Sequence, residues 1–160
     1  MARVAFLMGS QSDLETVRAG LDVLQEFKVG IDIRVLSAHR TPRELAAYVA
    51  AAEKQGVKVF IAAAGGSAAL AGVIASHTAL PVIGIPIETR PLKGIDSLLS
   101  TVQMPAGIPV ACMAIGSAGA RNAGLFAVEV LAVSDACLKR KLVQYRKKMR
   151  AKVLAVKLKV

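Results

Sequence analysis

The chain has 160 residues, enough for one domain with a substantial core. Apolar residues make up 54% of it, which excludes a disordered chain, while aromatics are only 4% and Trp is absent. The net charge of +10 is matched by ten Lys and Arg between Lys139 and Lys159; the remainder is near neutral, so a nucleic-acid partner would rest on this tail alone and is not expected.

Met1-Ala2-Arg3-Val4 runs directly into an apolar stretch without a cleavage pattern, so no signal peptide is expected. Val4–Met8 reads as a first strand ending in Gly9-Ser10. Leu14, Val17, Leu21, Leu24 and Phe27 then recur at helical spacing, with Asp13 near the helix start. Ile31, Ile33 and Val35 alternate with Asp32 and Arg34, a second strand. Thr41-Pro42 opens a helix, with Thr41 as N-cap, Pro42 at its first position and Glu44 at its third; Gly56 closes it. Val57–Ala63 is a third strand, followed by Gly65-Gly66-Ser67 and a small-residue helix. Pro81–Ile87 and Pro109–Ile115 are the fourth and fifth strands, and a long helix runs from about Ala118 to Val133. The basic segment from about 135 to 160 is predicted to be helical. Residues 57–75 are apolar, but Lys58, Gly65-Gly66 and Ser67 interrupt them, so no membrane span is expected.

This alternation predicts one α/β domain over residues 1–160, with a core of about 4–133: a doubly wound parallel sheet in three layers. In such a sheet ligands bind outside the carboxyl ends of the strands. Three strand ends are small and polar there: Met8–Asp13, Ser37–Pro42 and Ala64–Ala68. Each leads into a helix N-terminus, where free N–H groups attract anions. Ser10, Ser12 and Ser67 add hydroxyls, Arg40 adds a planar cationic fork, and Gly65 and Gly66 allow close approach to the backbone. The group suits a sugar phosphate. Neither a dinucleotide fingerprint nor a Walker sequence is present.

Serines and aspartates before helices are commonly caps, and a Gly-Gly pair is commonly only a turn. Three such loops at matching strand ends favour a site. His39, beside Arg40, suits proton transfer near neutral pH; His77, late in a small-residue helix, suits a surface or helix-end role. Cys112 and Cys137 lack metal spacing and read as buried, reduced thiols of a cytoplasmic protein. No metal or organic cofactor is expected.

Met8-Gly9-Ser10-Gln11-Ser12-Asp13, Ser37-Ala38-His39-Arg40-Thr41-Pro42, residues 103–110 (Gln-Met-Pro-Ala-Gly-Ile-Pro-Val) and the Ala114–Ala123 stretch resemble the N5-carboxyaminoimidazole ribonucleotide mutase family, in order and over roughly residues 4–133. The resemblance implies a flavodoxin-like subunit in a homo-octamer. It implies conversion of N5-carboxyaminoimidazole ribonucleotide to 4-carboxyaminoimidazole ribonucleotide, with His39 as acid/base. By the same resemblance, Ser10, Ser12, Asp13, Ser37, Arg40, Gly65, Gly66 and Leu70 bind substrate. Ala69 stands where the family usually has a histidine. The alternative on that ground is a carboxylase that takes free carbon dioxide. More distant alternatives are a nucleotide- or nucleic-acid-binding protein using the basic tail, and a flavodoxin-like electron carrier, against which the shortage of aromatics at the strand ends argues.

Overall fold

A computed structural model describes residues 3–158. The elements are β1 (Val4–Met8), α1 (Leu14–Glu26), β2 (Ile31–Val35), α2 (Pro42–Lys54), β3 (Val59–Gly65), α3 (Leu70–Ser76), β4 (Val82–Ile87), α4 (Ile95–Val102), β5 (Ala111–Cys112), α5 (Gly116–Ala132) and α6 (Ala136–Leu154). All strand pairings are parallel, in the order β2-β1-β3-β4-β5. This is the flavodoxin-like order, whose connections reverse direction between β1 and β3.

The strand sequences follow from their place in the sheet. Every residue of β1 and β4 is buried, as expected for central parallel strands covered on both faces. Val4, Phe6 and Met8 face α1 and α5; Ala5 and Leu7 face α2 and α3. On the first face α1 and α5 approach very closely. A Cβ on Gly20 would stand 2.4 Å from the Ala120 carbonyl oxygen, and one on Gly124 would stand 2.7 Å from that of Gly20. Only glycine permits this contact.

At the sheet's edge, Tyr48 of α2 donates to Asp32 Oδ2 at 2.9 Å and Arg34 Nε donates to Asp32 Oδ1 at 3.0 Å. The polar face of β2 is therefore the one turned to α2. Its apolar face is only partly covered: Ile31 packs on the core, while Ile33 and Val35 are 43% and 52% exposed.

Several expectations need correction. The fifth strand is two residues rather than seven. It lies at the other edge, Pro109 has no N–H to donate, and the chain turns into α5 at Gly116, where φ is +76°. Helix α5 accordingly starts at Gly116, not Ala118. Thr41 occupies the N-cap position of α2, but its hydroxyl makes no cap bond; it closes the preceding loop instead. Cys137 is exposed, on the first turn of α6, rather than buried, and Cys112 is half-buried. Helix α4, over residues 95–102, is additional to the predicted elements. The predicted basic helix is present as α6, capped by Asp135, whose Oδ1 accepts from the Cys137 and Leu138 amides while Oδ2 accepts from Arg3 at 2.8 Å. Lys159 and Val160 lie outside the described residues.

Candidate functional site

Three loops leave the carboxyl ends of β1, β2 and β3 and enclose a cavity of about 430 Å³. Gly9, Ser10 and Asp13 line it from the first, Ser37 to Arg40 from the second, and Ala64, Gly65, Ser67, Ala69 and Leu70 from the third. Of the residues singled out above, Ser10, Asp13, Ser37, His39, Arg40, Gly65 and Leu70 thus share one cavity. Ser12 and Gly66 are not on its lining and act on residues that are.

The first loop is a single 3-10 turn, Gln11–Asp13. Ser10 caps it: its Oγ accepts from the Ser12 amide at 3.3 Å and from the Ser12 hydroxyl at 2.8 Å. Ser12 Oγ also lies 3.3 Å from Asp13 Oδ1, so Ser12 orders Ser10 and Asp13. Asp13 sits at the N-cap position of α1 yet makes no cap bond. Its carboxylate faces the cavity instead. Desolvation raises its pKa above the ordinary carboxylate value, opposed by the Ser12 hydroxyl, the Ser10 backbone and the charge of Arg40.

The second loop is closed on itself. Thr41 Oγ1 accepts from the Ser37 amide at 2.9 Å and donates to the Ser37 carbonyl at 3.1 Å. Ser37 Oγ accepts from the Arg40 amide at 3.2 Å. This knot fixes the two residues between, Ala38 and His39, and aims Arg40 across the cavity mouth, where Nη2 donates to the Gly9 carbonyl at 2.7 Å. His39 is exposed at the rim, reachable by a ligand. His77 is exposed at the carboxyl end of α3, away from these loops.

The third loop leaves β3 through Gly66, at φ +69°. Its support comes from α4. The fully buried Ser97 hydroxyl accepts from the Gly66 amide at 2.9 Å and donates to the Ile87 carbonyl at 2.7 Å. Ser100 Oγ donates to the Gly66 carbonyl at 3.2 Å. The one available signal for these residues was the spacing of Ile95, Leu98, Leu99 and Val102, a helical pattern over only eight residues.

The site therefore combines a cation, a half-buried carboxylate, hydroxyls and an imidazole on one side with an apolar wall of Ala64, Ala69 and Leu70 on the other. Among the described residues no three His, Cys, Asp or Glu converge as metal ligands.

The Asp13 environment gives a test. A raised folded-state pKa means that the ionised carboxylate costs stability at neutral pH, and that the cost is lost as pH falls through the raised value to the unfolded value of about 3.9. Asp13→Asn should raise the melting temperature at pH 7, with the gain shrinking to nothing below about pH 4. Thermal melts across that range check this; an equal gain at every pH, or a loss at pH 7, would contradict it.

Comparison with known proteins gives one consistent result. The family model described as AIR carboxylase matches residues 3–152. Proteins called N5-carboxyaminoimidazole ribonucleotide mutase are similar throughout: that of Vibrio parahaemolyticus is 48% identical, covering 96% of this chain and 95% of its own. That of Brucella melitensis is 52% identical, covering 90% and 89%, and that of Bacillus subtilis 49%, covering 94% and 93%. The crystal structure of Treponema denticola PurE superposes with a TM-score of 0.86 at 27% identity, covering 94% of this chain and 93% of that one. The chain, matched over nearly its whole length by model, sequence and fold, belongs to the AIR carboxylase family.

Proposed function

We propose that the chain converts N5-carboxyaminoimidazole ribonucleotide to 4-carboxyaminoimidazole ribonucleotide, a mutase step of purine biosynthesis in the cytoplasm. The observation that carries this is the convergence of His39, Arg40, Asp13 and Ser10 on one cavity in a chain about half identical to proteins of that name. The related reading, a carboxylase that takes free carbon dioxide, has the same cavity but not the relatives' names in its favour. The nucleic-acid reading has only α6, and two of its cations are engaged within the chain: Lys141 with the Phe27 carbonyl, Arg146 with Glu129.

Arg40, Ser10 and Ser37 bind the phosphate end, since a guanidinium beside hydroxyls gives charge-assisted hydrogen bonds to phosphate oxygens. Asp13 accepts from the ribose hydroxyls. The aminoimidazole then lies toward Gly65 and Leu70, with its carbamate against Ala64 and Ala69. Protonated His39 gives its proton to the carbamate nitrogen as the N–C bond breaks and carbon dioxide departs. C4 attacks the carbon dioxide held by the apolar wall, and the now neutral His39 removes the C4 proton. Protons balance, one histidine serves both steps, and our reading assigns no cofactor. Water excluded from the apolar wall would limit escape of carbon dioxide.

We also infer a closed homo-oligomer, an octamer by family resemblance. Three features support it. The chain exposes 9436 Å², against roughly 7,600 Å² for a compact monomer of this 16.7 kDa mass. Ile95, Leu99 and Val102 form an exposed apolar stripe along α4. A hollow of about 610 Å³, lined by Leu80, Pro81, Ile108 and Phe126 among others, opens near the start of β4. Light scattering at micromolar concentration should give a multiple of the chain mass; a monomer would overturn the inference.

The catalytic assignment is tested by His39→Asn, which keeps size and some hydrogen bonding but carries no proton. It should bind the nucleotide and keep the parent's oligomeric state, yet lose on the order of 10²–10⁴-fold or more in turnover, while His77→Asn stays active. Turnover of His39→Asn within about tenfold of the parent would refute the role.

A further inference from the structure

We propose that Ser97, which touches no part of the cavity, is a positioning residue for the reaction, acting through the backbone of Gly66. The proposal rests on the mutase reading above.

Gly65 and Ile87 are paired residues at the last rung of the β3–β4 ladder. One residue further, Gly66 turns out of the sheet at φ +69°, and its amide can no longer be held by a neighbouring strand. Ser97 supplies the missing acceptor. Its hydroxyl accepts from the Gly66 N–H at 2.9 Å and donates to the Ile87 carbonyl at 2.7 Å, joining the ends of both strands through one fully buried side chain. A hydroxyl can do both because it donates once and accepts up to twice. No apolar residue of similar size could.

Helix α4 is eight residues long and would not persist alone. It is held at its first turn by Asp96, whose two carboxylate oxygens each lie 2.9 Å from the Thr89 hydroxyl. Near its end Thr101 packs over Gly84, where a Cβ would stand 2.4 Å from Thr101 Cγ2. The helix is thereby a fixed support, and Ser97 transfers that fixity to the loop. Gly66 is followed within four residues by Ser67, Ala69 and Leu70, all on the cavity lining. A loop released at Gly66 misplaces the wall that holds the carboxyl group. The phosphate anchor at Arg40 stands on other strands and is not disturbed.

This predicts a split between kinetic parameters. Displacement of a reacting group by about 1 Å can cost on the order of 100-fold in rate. Ser97→Ala should therefore lower kcat about 10- to 100-fold while KM for the nucleotide stays within about threefold. Exchange of the Gly66 amide, followed by mass spectrometry on the free protein, should quicken in the same variant. Thr101→Val is the control. Thr101 is also buried on the same helix, but its hydroxyl donates to the Ser97 carbonyl at 2.8 Å within α4. It should leave kcat and Gly66 exchange close to the parent. Should Ser97→Ala not fold, Ser97→Cys, of similar size but a weaker donor and acceptor, should show the same split to a smaller degree. Parental kcat and Gly66 exchange in the Ser97 variants, or an equal loss in Thr101→Val, would overturn the proposal. A parent protein inactive on the carbamate would instead sink the mutase reading, and the exchange measurement would still decide the role of Ser97.

Discussion

At the carboxyl ends of β1 and β3, neighbours in the sheet, the chain departs toward opposite faces. After β1 it turns to α1, which packs on the side of Phe6; after β3 it turns to α3, which packs on the side of Leu7. The two departing loops diverge, and the cavity lies in the crevice between them. This divergence depends on both faces being covered tightly. On one face, Gly20 and Gly124 let α1 and α5 meet backbone to backbone, which keeps α1 close above the sheet and its N-terminus beside Gly9. On the other, the Tyr48–Asp32–Arg34 group ties α2 to the edge strand and so places the loop that carries His39 and Arg40.

Within the crevice, polar groups are spent on ordering the loops rather than on stabilising helices. Asp13 and Thr41 hold cap positions without capping. Asp13 retains a carboxylate that desolvation makes costly, and Thr41 closes the knot that aims Arg40. A cap is worth about 1 kcal/mol, which the fold forgoes at the start of α2, while α1 follows directly on the turn that Ser10 caps. Such trade-offs are expected where a ligand later supplies the missing partners.

The central architecture was legible because β1, β3 and β4 are continuous apolar runs separated by helices of clear period. The cavity lining was legible where it lay on strand ends, at Ser10, Asp13, Ser37, His39, Arg40 and Gly65, whereas Leu70, at the start of α3, was implied only by the family resemblance. What escaped the sequence was of two kinds. One short helix escaped because its hydrophobic pattern is truncated and faces outward: α4 exposes Ile95, Leu99 and Val102, while β5 was expected but proves shorter, with only two pairings. Roles carried by side chains acting on backbone also escaped. Nothing near Ser97 in the sequence points to Gly66, 31 residues away, and nothing near Thr41 says that its hydroxyl turns back to Ser37 rather than forward into α2.

Ala69 lines the apolar wall of the cavity, which under the proposed mutase reaction holds the carbon dioxide. A wall that retains carbon dioxide long enough for C4 to attack it favours the carbamate as the source of the carboxyl group. One assay compares the two sources directly: the purified protein supplied with N5-carboxyaminoimidazole ribonucleotide, or with aminoimidazole ribonucleotide and bicarbonate at matched nucleotide concentration. The mutase account predicts faster formation of 4-carboxyaminoimidazole ribonucleotide from the carbamate, with little incorporation of labelled bicarbonate during turnover. Equal or faster product formation from aminoimidazole ribonucleotide and bicarbonate, with full incorporation of label, would contradict it.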